Sequence, residues 1–171
     1  YAITVHDYNL VCPEIVHDEE ENKIVVTKAR HMLQEQTVDS FIPNDVILEP
    51  SAGFACSVVT GPNYSGKSVY LKSVGLVAYM TFIGMFVPCE RCVITPIDRI
   101  FCRVKSYESA TLGLSTFQID CLQMQSILRC ATSKSLVLVD EFGKGTSAAD
   151  GLALFAASIE SLTDMKRRGS T

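Results

Sequence analysis

The 171-residue sequence predicts an α/β fold with a mostly parallel central sheet and flanking helices. An apolar stretch runs through a glycine-rich loop into a long helical segment. Further along, an alternating strand is followed by an amphipathic helix, and a second apolar strand ends in two carboxylates. This order of strand, glycine loop, helix, strand and acidic pair is typical of nucleotide-binding α/β domains.

Composition limits the classes of protein. Hydrophobic residues make up 47% and charged residues 20% of the chain, which excludes a disordered tail and predicts a well-filled core. The formal net charge of −4 provides no global positive field for nucleic acid, so any DNA contact must come from a local patch or from other segments. The longest uncharged apolar run, Val74–Val87, is shorter than the roughly twenty residues of a membrane span. We therefore expect no membrane partner.

The seven cysteines favour reduced thiols, because their number is odd and they lie in apolar stretches. Cys89 and Cys92 have metal-like spacing, but no second pair follows to complete the four ligands of a structural zinc site. We interpret them as two thiols in a loop after a helix.

The first fifty residues predict a strand-rich entry segment. Ile24–Thr27 is a predicted strand, and the acidic tract 17–22 before it is a predicted hairpin tip. Asn44-Asp45 and residues 49–51 carry turn signals.

The chemistry begins after a predicted buried parallel strand, Phe54–Val59. Residues 61–68 fit the pattern G-x-x-x-x-G-K-[ST] at every specified position and open a helix. The glycines let the backbone wrap round phosphates, Lys67 would reach the β- and γ-phosphates of ATP, and Ser68 would hold Mg²⁺. The alternative is a glycine turn that matches by chance. The predicted nucleotide-binding residues of this loop are Gly61, Pro62, Asn63, Tyr64, Ser65, Gly66, Lys67 and Ser68.

The second half of the chain predicts two strands and two helices. Residues 100–105 alternate in a strand pattern, with Ile100 and Cys102 on the apolar face. Apolar residues at 117, 121, 124, 128 and 131 predict an amphipathic helix, and Ser115 begins a capping-box pattern before it. A last helix is predicted from Gly151 to Leu162, with Asp150 as its cap.

A carboxylate pair follows the second buried strand, Leu136–Val139. Asp140 would emerge at the carboxyl end of the sheet and support Mg²⁺, directly or through water. Glu141 would polarise the water that attacks the γ-phosphate. An exposed acidic turn is the alternative for an isolated Asp-Glu pair, and the phosphate loop earlier in the chain favours the catalytic interpretation.

Residues 135–151, SLVLVDEFGKGTSAADG, resemble the signature of the MutS family of DNA mismatch and junction ATPases. The loop GPNYSGKS resembles the phosphate loop of the same family. Further blocks occur in family order, so that the resemblance covers about residues 28 to 162: ARH at 29–31, FIPN at 41–44, PIDRIF at 96–101 and LGLSTF at 112–117.

The resemblance implies an ABC-type ATPase domain that works as a dimer. Phe41 would stack on adenine, with ordinary core packing as its alternative. Asn63 would lie beside the γ-phosphate, and the loop 145–150 would lie at the dimer interface. Ser115 would contact the partner subunit's nucleotide, with a plain helix cap as its alternative. Residues 1–171 would then be one partial domain, with an entry segment at 1–50 and the ATPase elements at 54–162, truncated before its last strands.

Within the family, Leu114, Phe142 and Lys144 resemble the meiotic branch, the fifth eukaryotic homologue. That branch implies a nuclear protein of meiotic recombination, heterodimeric with another MutS homologue, which holds double-stranded DNA through domains absent here. A mismatch-repair homologue is the alternative. Another ABC-type ATPase is disfavoured because 112–117 lacks a Ser-Gly-Gly-Gln-like signature. A slow nucleotide-dependent dimerisation scaffold is disfavoured by the complete set of catalytic residue types.

Overall fold

The computed structural model describes residues 2–17, 22–49, 56–103, 115–143 and 145–168, with side chains as far as Asp164. The chain divides into two units, residues 1–97 and residues 98–171. Each is mixed α/β. Among the described helices, none combines the length and the apolar character that crossing a lipid bilayer requires.

The first unit contains a four-stranded sheet with the strand order β1-β4-β2-β3. β2 pairs antiparallel with β3 and with β4, and only the short β1 pairs in parallel, with β4. The elements of this unit are α1 (Ala2–Asp7), β1 (Glu14–Ile15), β2 (Ile24–Ala29), α2 (Met32–Glu35), β3 (Asn44–Leu48), α3 (Lys67–Phe82) and β4 (Arg91–Ile94). The expected mostly parallel sheet is therefore wrong for this unit.

The core of the first unit lies between this sheet and α3. Val26 of β2 faces Val46 of β3 and Cys92 of β4 across the ladder, and all three are buried. α3 contributes Val77 and Ala78, which are also buried. The predicted strand at Ile24–Thr27 is confirmed and extends to Ala29.

Asn44 and Asp45 belong to β3 and do not form the predicted turn. The reason is a bulge in the neighbouring strand. Lys28 has a left-handed φ of 55°, and its backbone N–H donates to the Asp45 carboxylate at 2.8 Å. The Asp45 side chain thus replaces a ladder hydrogen bond that the bulge removes. The other predicted turn falls on residues 49–51, of which 50 and 51 lie outside the described ranges.

The acidic tract does not connect a hairpin, because β4 lies between β1 and β2 in the sheet. Residues 18–21 of the tract lie outside the described ranges.

The predicted strand Phe54–Val59 is not a strand where it is described. Phe54 and Ala55 lie outside the described ranges, and residues 56–59 have no regular structure and are exposed. Val58, for example, is 61% exposed. No described strand pairs with this stretch, and an apolar stretch without a ladder partner cannot bury its side chains in a sheet.

α3 ends five residues before the end of the apolar run because of Gly84. Gly84 has a φ of 79°, its N–H donates to Thr81 O at 3.1 Å, and the next N–H, of Met85, donates to Met80 O at 2.9 Å. These two bonds form a Schellman motif, in which glycine adopts the left-handed conformation. One side of α3 is buried, whereas Tyr79 and Phe82 are exposed.

The second unit contains two parallel strands joined by a helix. β5 (Arg99–Arg103) pairs in parallel with β6 (Ser135–Val139), and α4 (Thr116–Cys130) lies between them in the chain. α5 (Ala148–Arg168) follows and packs on α4. These predicted elements are confirmed where they are described, and residues 104 and 105 of the first predicted strand lie outside the described ranges. α5 begins earlier and extends further than expected.

Ser147, and not Asp150, caps α5. The Ser147 Oγ accepts from the Asp150 N–H at 3.2 Å and donates to the Asp150 carboxylate at 2.7 Å. Asp150 therefore lies in the first turn, where a carboxylate favours the positive end of the helix dipole.

The buried faces of β5 and α4 differ from the predicted ones. On β5, Cys102 is exposed and Arg103 is buried. On α4, the buried residues are Asp120, Met124 and Ile127. The sequence periodicity predicted buried faces that consist of apolar residues only. In the structure, Arg103 and Asp120 are also buried, because they form an ion pair with each other.

Candidate active site

The glycine loop presents the N-terminus of α3 to solvent. Gly66 occupies the N-cap position with a φ of 93°, and no side chain caps the helix. The first turn contains no acidic residue, and residues 61–66 are exposed. Uncapped N–H groups at the positive end of a sixteen-residue helix favour an anion at this position.

Lys67 points back over this loop. Its Nζ donates to the carbonyl oxygens of Gly61 and Pro62 at 2.8 and 2.6 Å. The ammonium group is therefore already positioned at the mouth of the loop, where a phosphate would meet it. Ser68, the next residue, is partly exposed, so that its hydroxyl suits a hard cation such as Mg²⁺. These residues fit a nucleoside triphosphate with its metal ion.

Two other loop residues, Asn63 and Tyr64, are exposed. Tyr64 is fully exposed and has a left-handed φ of 64°. Phe41 lies outside the helices and strands, between α2 and β3, and is partly exposed. It is therefore not one of the buried core residues of the first unit.

In the second unit, the carboxylate pair forms a sharp turn at the end of β6. Asp140 is buried, with 7% of its surface exposed, and its N–H donates to Arg103 O at 2.9 Å. Glu141 is partly exposed and has a left-handed φ of 53°, which is uncommon for a residue with a long side chain. The chain thus turns at the junction of the two carboxylates, directly after β6.

A buried arginine holds this turn, and sequence reasoning missed it. Arg103 donates one guanidinium hydrogen bond to Asp140 O and another to the Asp120 carboxylate. Its guanidinium carbon lies 6.0 Å from the ring centre of Phe142. The sequence did contain one indication of this pair, because one charged residue lies within the predicted strand, at 103, and one of opposite charge lies within the predicted helix, at 120.

The N-terminus of α4 and the loop after Gly143 lie next to each other. Ser115 forms the predicted capping box with Gln118: its Oγ accepts from the Gln118 N–H at 3.2 Å, and its own N–H donates to Gln118 Oε1 at 2.9 Å. Gly145 packs so closely on this helix that an added Cβ would lie 2.8 Å from Phe117 Cβ. The two regions that the resemblance assigns to a dimer interface are therefore neighbours within one unit.

The predicted site residues are divided between the two units. Phe41 and the phosphate loop belong to the first unit. Ser115, Asp140 and Glu141 belong to the second.

Cys89 and Cys92 are buried free thiols, as interpreted from the sequence, although Cys92 lies in β4 and not in a loop. A hydrogen bond between the two side chains, together with burial, raises the pKa of Cys89, and the same bond lowers the pKa of Cys92. Within the described residues, no group of three or more His, Cys, Asp or Glu side chains could hold a metal ion.

A glycine loop that opens an uncapped helix, together with a carboxylate pair that follows a parallel strand, defines the class of phosphate-loop nucleotide-binding proteins. Residues 57–170 match the family model of MutS domain V. The chain belongs to the MutS family.

Two curated relatives illustrate the extent of the match. The chain is 41% identical over 160 residues to the DNA mismatch repair protein MutS of Petrotoga mobilis. It is 44% identical over 159 residues to the protein of the same name from Anaplasma phagocytophilum. These matches cover 94% and 93% of this chain and 19% of each relative, so that the chain spans about a fifth of their length.

Proposed function

We propose that this chain supplies the ATP-binding and ATP-hydrolysing part of a dimeric, MutS-type DNA clamp. The observation that carries the proposal is the phosphate loop: an exposed, uncapped N-terminus of α3 with the Lys67 ammonium held over it. Membership of the MutS family, with mismatch repair proteins among its members, supports the same conclusion.

In this proposal the phosphate loop binds the triphosphate. Backbone N–H groups of 61–66 and the N-terminus of α3 surround the phosphates, and Lys67 and Asn63 contact the γ-phosphate. Phe41, which is partly exposed, stacks on the adenine. Ser68 and Asp140 hold Mg²⁺, which neutralises charge on the phosphates when it is bound.

Glu141 is the proposed general base. Glu141 directly follows Asp140 in the turn at the end of β6, and it remains partly exposed, as a residue that meets water must be. Its carboxylate orients and deprotonates the attacking water.

Ser115 is the proposed contact to the partner subunit's nucleotide. Its helix begins beside Gly145, so that the capped end of α4 lies next to the segment 145–150, of which residues 148–150 begin α5. A partner that docks there receives the Ser115 hydroxyl and the N–H groups of the first helical turn. Such preorganised donors stabilise charge that develops on the γ-phosphate.

The proposed DNA substrate and partner rest on membership of the family. The relatives are named as mismatch repair proteins, which favours mismatched double-stranded DNA held by other domains of the dimer. A narrower candidate is the meiotic branch, with junction DNA, a heterodimer with another MutS homologue and a nuclear location. The specific observation for it is the set Leu114, Phe142 and Lys144. Binding of the full-length dimer to mismatched and to four-way-junction duplexes separates the two.

An ATP titration of the full-length protein tests the nucleotide site. Lys67→Ala removes charge-assisted hydrogen bonds worth roughly 1.5–3 kcal/mol, so we expect about 10- to 100-fold weaker binding. Lys72→Ala is the matched control, because Lys72 is an exposed lysine of the same helix outside the loop. Equal affinities of the two variants would contradict the phosphate-loop assignment.

A further inference from the structure

Arg103 is a buried arginine that binds both the end of β6 and the helix α4. It extends from β5, and its side chain is 7% exposed. One guanidinium nitrogen donates to the carbonyl oxygen of Asp140, at the end of β6, and another donates to the carboxylate of Asp120, on α4. The Arg103 carbonyl also accepts from the Asp140 N–H at 2.9 Å. Arg103 therefore binds both backbone polar groups of Asp140.

This buried ion pair is not expected to contribute much to the stability of the fold. The guanidinium and the Asp120 carboxylate both leave water, and Nε of Arg103 is buried without a hydrogen-bond partner among the described residues. Burying a charge pair costs desolvation that its attraction does not always recover, and well-packed apolar residues of similar volume are often at least as stable. A role in setting geometry accounts for such a pair better than stability does.

The geometry that Arg103 sets is that of the Asp140–Glu141 turn. Glu141 has a left-handed φ of 53°, a conformation that the surroundings must hold in place. On the strand side, Arg103 holds the Asp140 carbonyl that belongs to the same peptide unit as the Glu141 N–H. On the other side, the guanidinium packs near Phe142, whose ring lies 6.4 Å from that of Phe155 on α5.

The same arginine ties this turn to α4. Asp120 lies in the second turn of the helix that Ser115 caps. A shift of α4 would therefore move Asp120, and through Arg103 it would change the position of the Asp140 carbonyl.

We propose that Arg103, neutralised by Asp120, is a positioning residue that fixes the direction of the Glu141 carboxylate relative to the N-terminus of α4. The proposal rests on the proposed role of Glu141. Because Arg103 acts on the turn that carries Glu141 and not on the phosphate loop, its loss slows the hydrolysis step far more than it weakens ATP binding.

The experiment measures ATP affinity and single-turnover hydrolysis in the full-length protein. Arg103→Lys keeps the charge but cannot bind Asp120 and the Asp140 carbonyl with the same planar fork. Asp120→Asn keeps the shape and removes the neutralising charge. We expect each to lower the hydrolysis rate by about 10- to 100-fold, with ATP affinity within about threefold of the parent.

Arg99→Lys is the matched control. Arg99 lies on the same strand and, like Arg103, donates a hydrogen bond to a backbone carbonyl, in this case that of Cys130 at the end of α4. Unlike Arg103, it is exposed. This variant should leave the rate and the affinity unchanged. A rate for Arg103→Lys equal to that of Arg99→Lys would overturn the proposal.

Removal of one partner of a buried ion pair can destabilise the fold, so two further variants test the proposal independently of that effect. Arg103→Met combined with Asp120→Leu removes both buried charges and should fold stably. It should still hydrolyse slowly, and a normal rate would overturn the proposal. In a Glu141→Gln background, Asp120→Asn should cause no further decrease, because both changes act through one carboxylate.

The outcomes separate the inference from the proposed function. Slow hydrolysis by Glu141→Gln with a normal rate for Arg103→Lys overturns the positioning role alone. Normal hydrolysis by Glu141→Gln overturns both. A full further decrease on adding Asp120→Asn to Glu141→Gln shows that the pair acts elsewhere, and overturns the inference.

Discussion

Gly143 and Gly151 are in direct backbone contact. A Cβ on Gly151 would lie 2.8 Å from the carbonyl oxygen of Gly143, and a Cβ on Gly143 would lie 2.9 Å from the Cα of Gly151. The turn that begins at Asp140 therefore packs against the first turns of α5 without room for a side chain. Gly143 also has a φ of 83°, which favours glycine.

This contact reverses the usual effect of Gly151→Ala. In an ordinary helix interior the change stabilises by about 1 kcal/mol. Here the methyl group must displace the backbone of Gly143, and we expect a destabilisation of roughly 1–3 kcal/mol. Chemical unfolding of the protein and its variant measures the difference.

Gly84→Ala is the control for the same change at Gly143, the other side of this contact. Gly84 shares the left-handed conformation of Gly143, with φ values of 79° and 83°, but has no atom within 4 Å of an added Cβ, so it reports the backbone cost without the clash. That cost is about 1–2 kcal/mol. A Gly151→Ala variant that is more stable than the parent would contradict the close contact.

A mixed dimer tests whether Ser115 acts on the partner's nucleotide. One arrangement places Ser115→Ala and Lys67→Ala in the same subunit, so that each of the two composite sites loses one group. The other places them in opposite subunits, so that one site loses both groups and the other stays intact. Because removal of one stabilising donor typically costs on the order of 10²–10³ in rate, we expect the second arrangement to retain about half of the activity and the first to lose most of it.

The two arrangements contain the same substitutions, so the loss of the helix cap, worth about 1 kcal/mol, affects both equally. ATP turnover by each purified mixed dimer is the measurement. Equal rates would return Ser115 to the role of a helix cap.

The environment of Asp98 should make the stability of the protein decrease at acidic pH. Partial burial of Asp98 opposes its ionisation, but hydrogen bonds from Thr132 and Ser135, at 2.6 and 2.9 Å, outweigh that effect and lower its pKa. Since the pKa in the folded state lies below that in the unfolded chain, the stabilisation is present above the ordinary value of about 3.9 and is lost as the pH falls through the folded pKa.

Asp98→Asn should therefore weaken the decrease in unfolding free energy as the pH falls below about 4. Urea unfolding at a series of pH values measures it in the parent and in the variant. Identical slopes in this range would show that Asp98 is not stabilised in the folded state.

Features encoded within a few residues were predictable from the sequence. The phosphate loop and the start of α3 follow from the positions of Gly66 and Lys67, and the capping box follows from Ser115 and Gln118. The parallel strands of the second unit follow from their apolar runs. Each of these depends on neighbours in the chain, and local propensity decides them.

Features that depend on distant partners were not predictable. Arg103 is buried because Asp120 neutralises it, and Asp45 lies in a strand because Lys28 forms a bulge beside it. The stretch 56–59 has the composition of a buried strand, but pairing requires a neighbouring strand, which composition does not specify.

The hydrolysis step of Glu141→Gln tests the central claim most directly. Single-turnover hydrolysis and ATP binding are measured together on the full-length dimer, because the glutamine keeps the shape and a hydrogen-bonding group but cannot act as a base. The proposed chemistry predicts that ATP binding is retained and that hydrolysis slows by on the order of 10²–10⁴. Hydrolysis at the parent rate would contradict the assignment of Glu141 as the general base and, with it, the proposed active site.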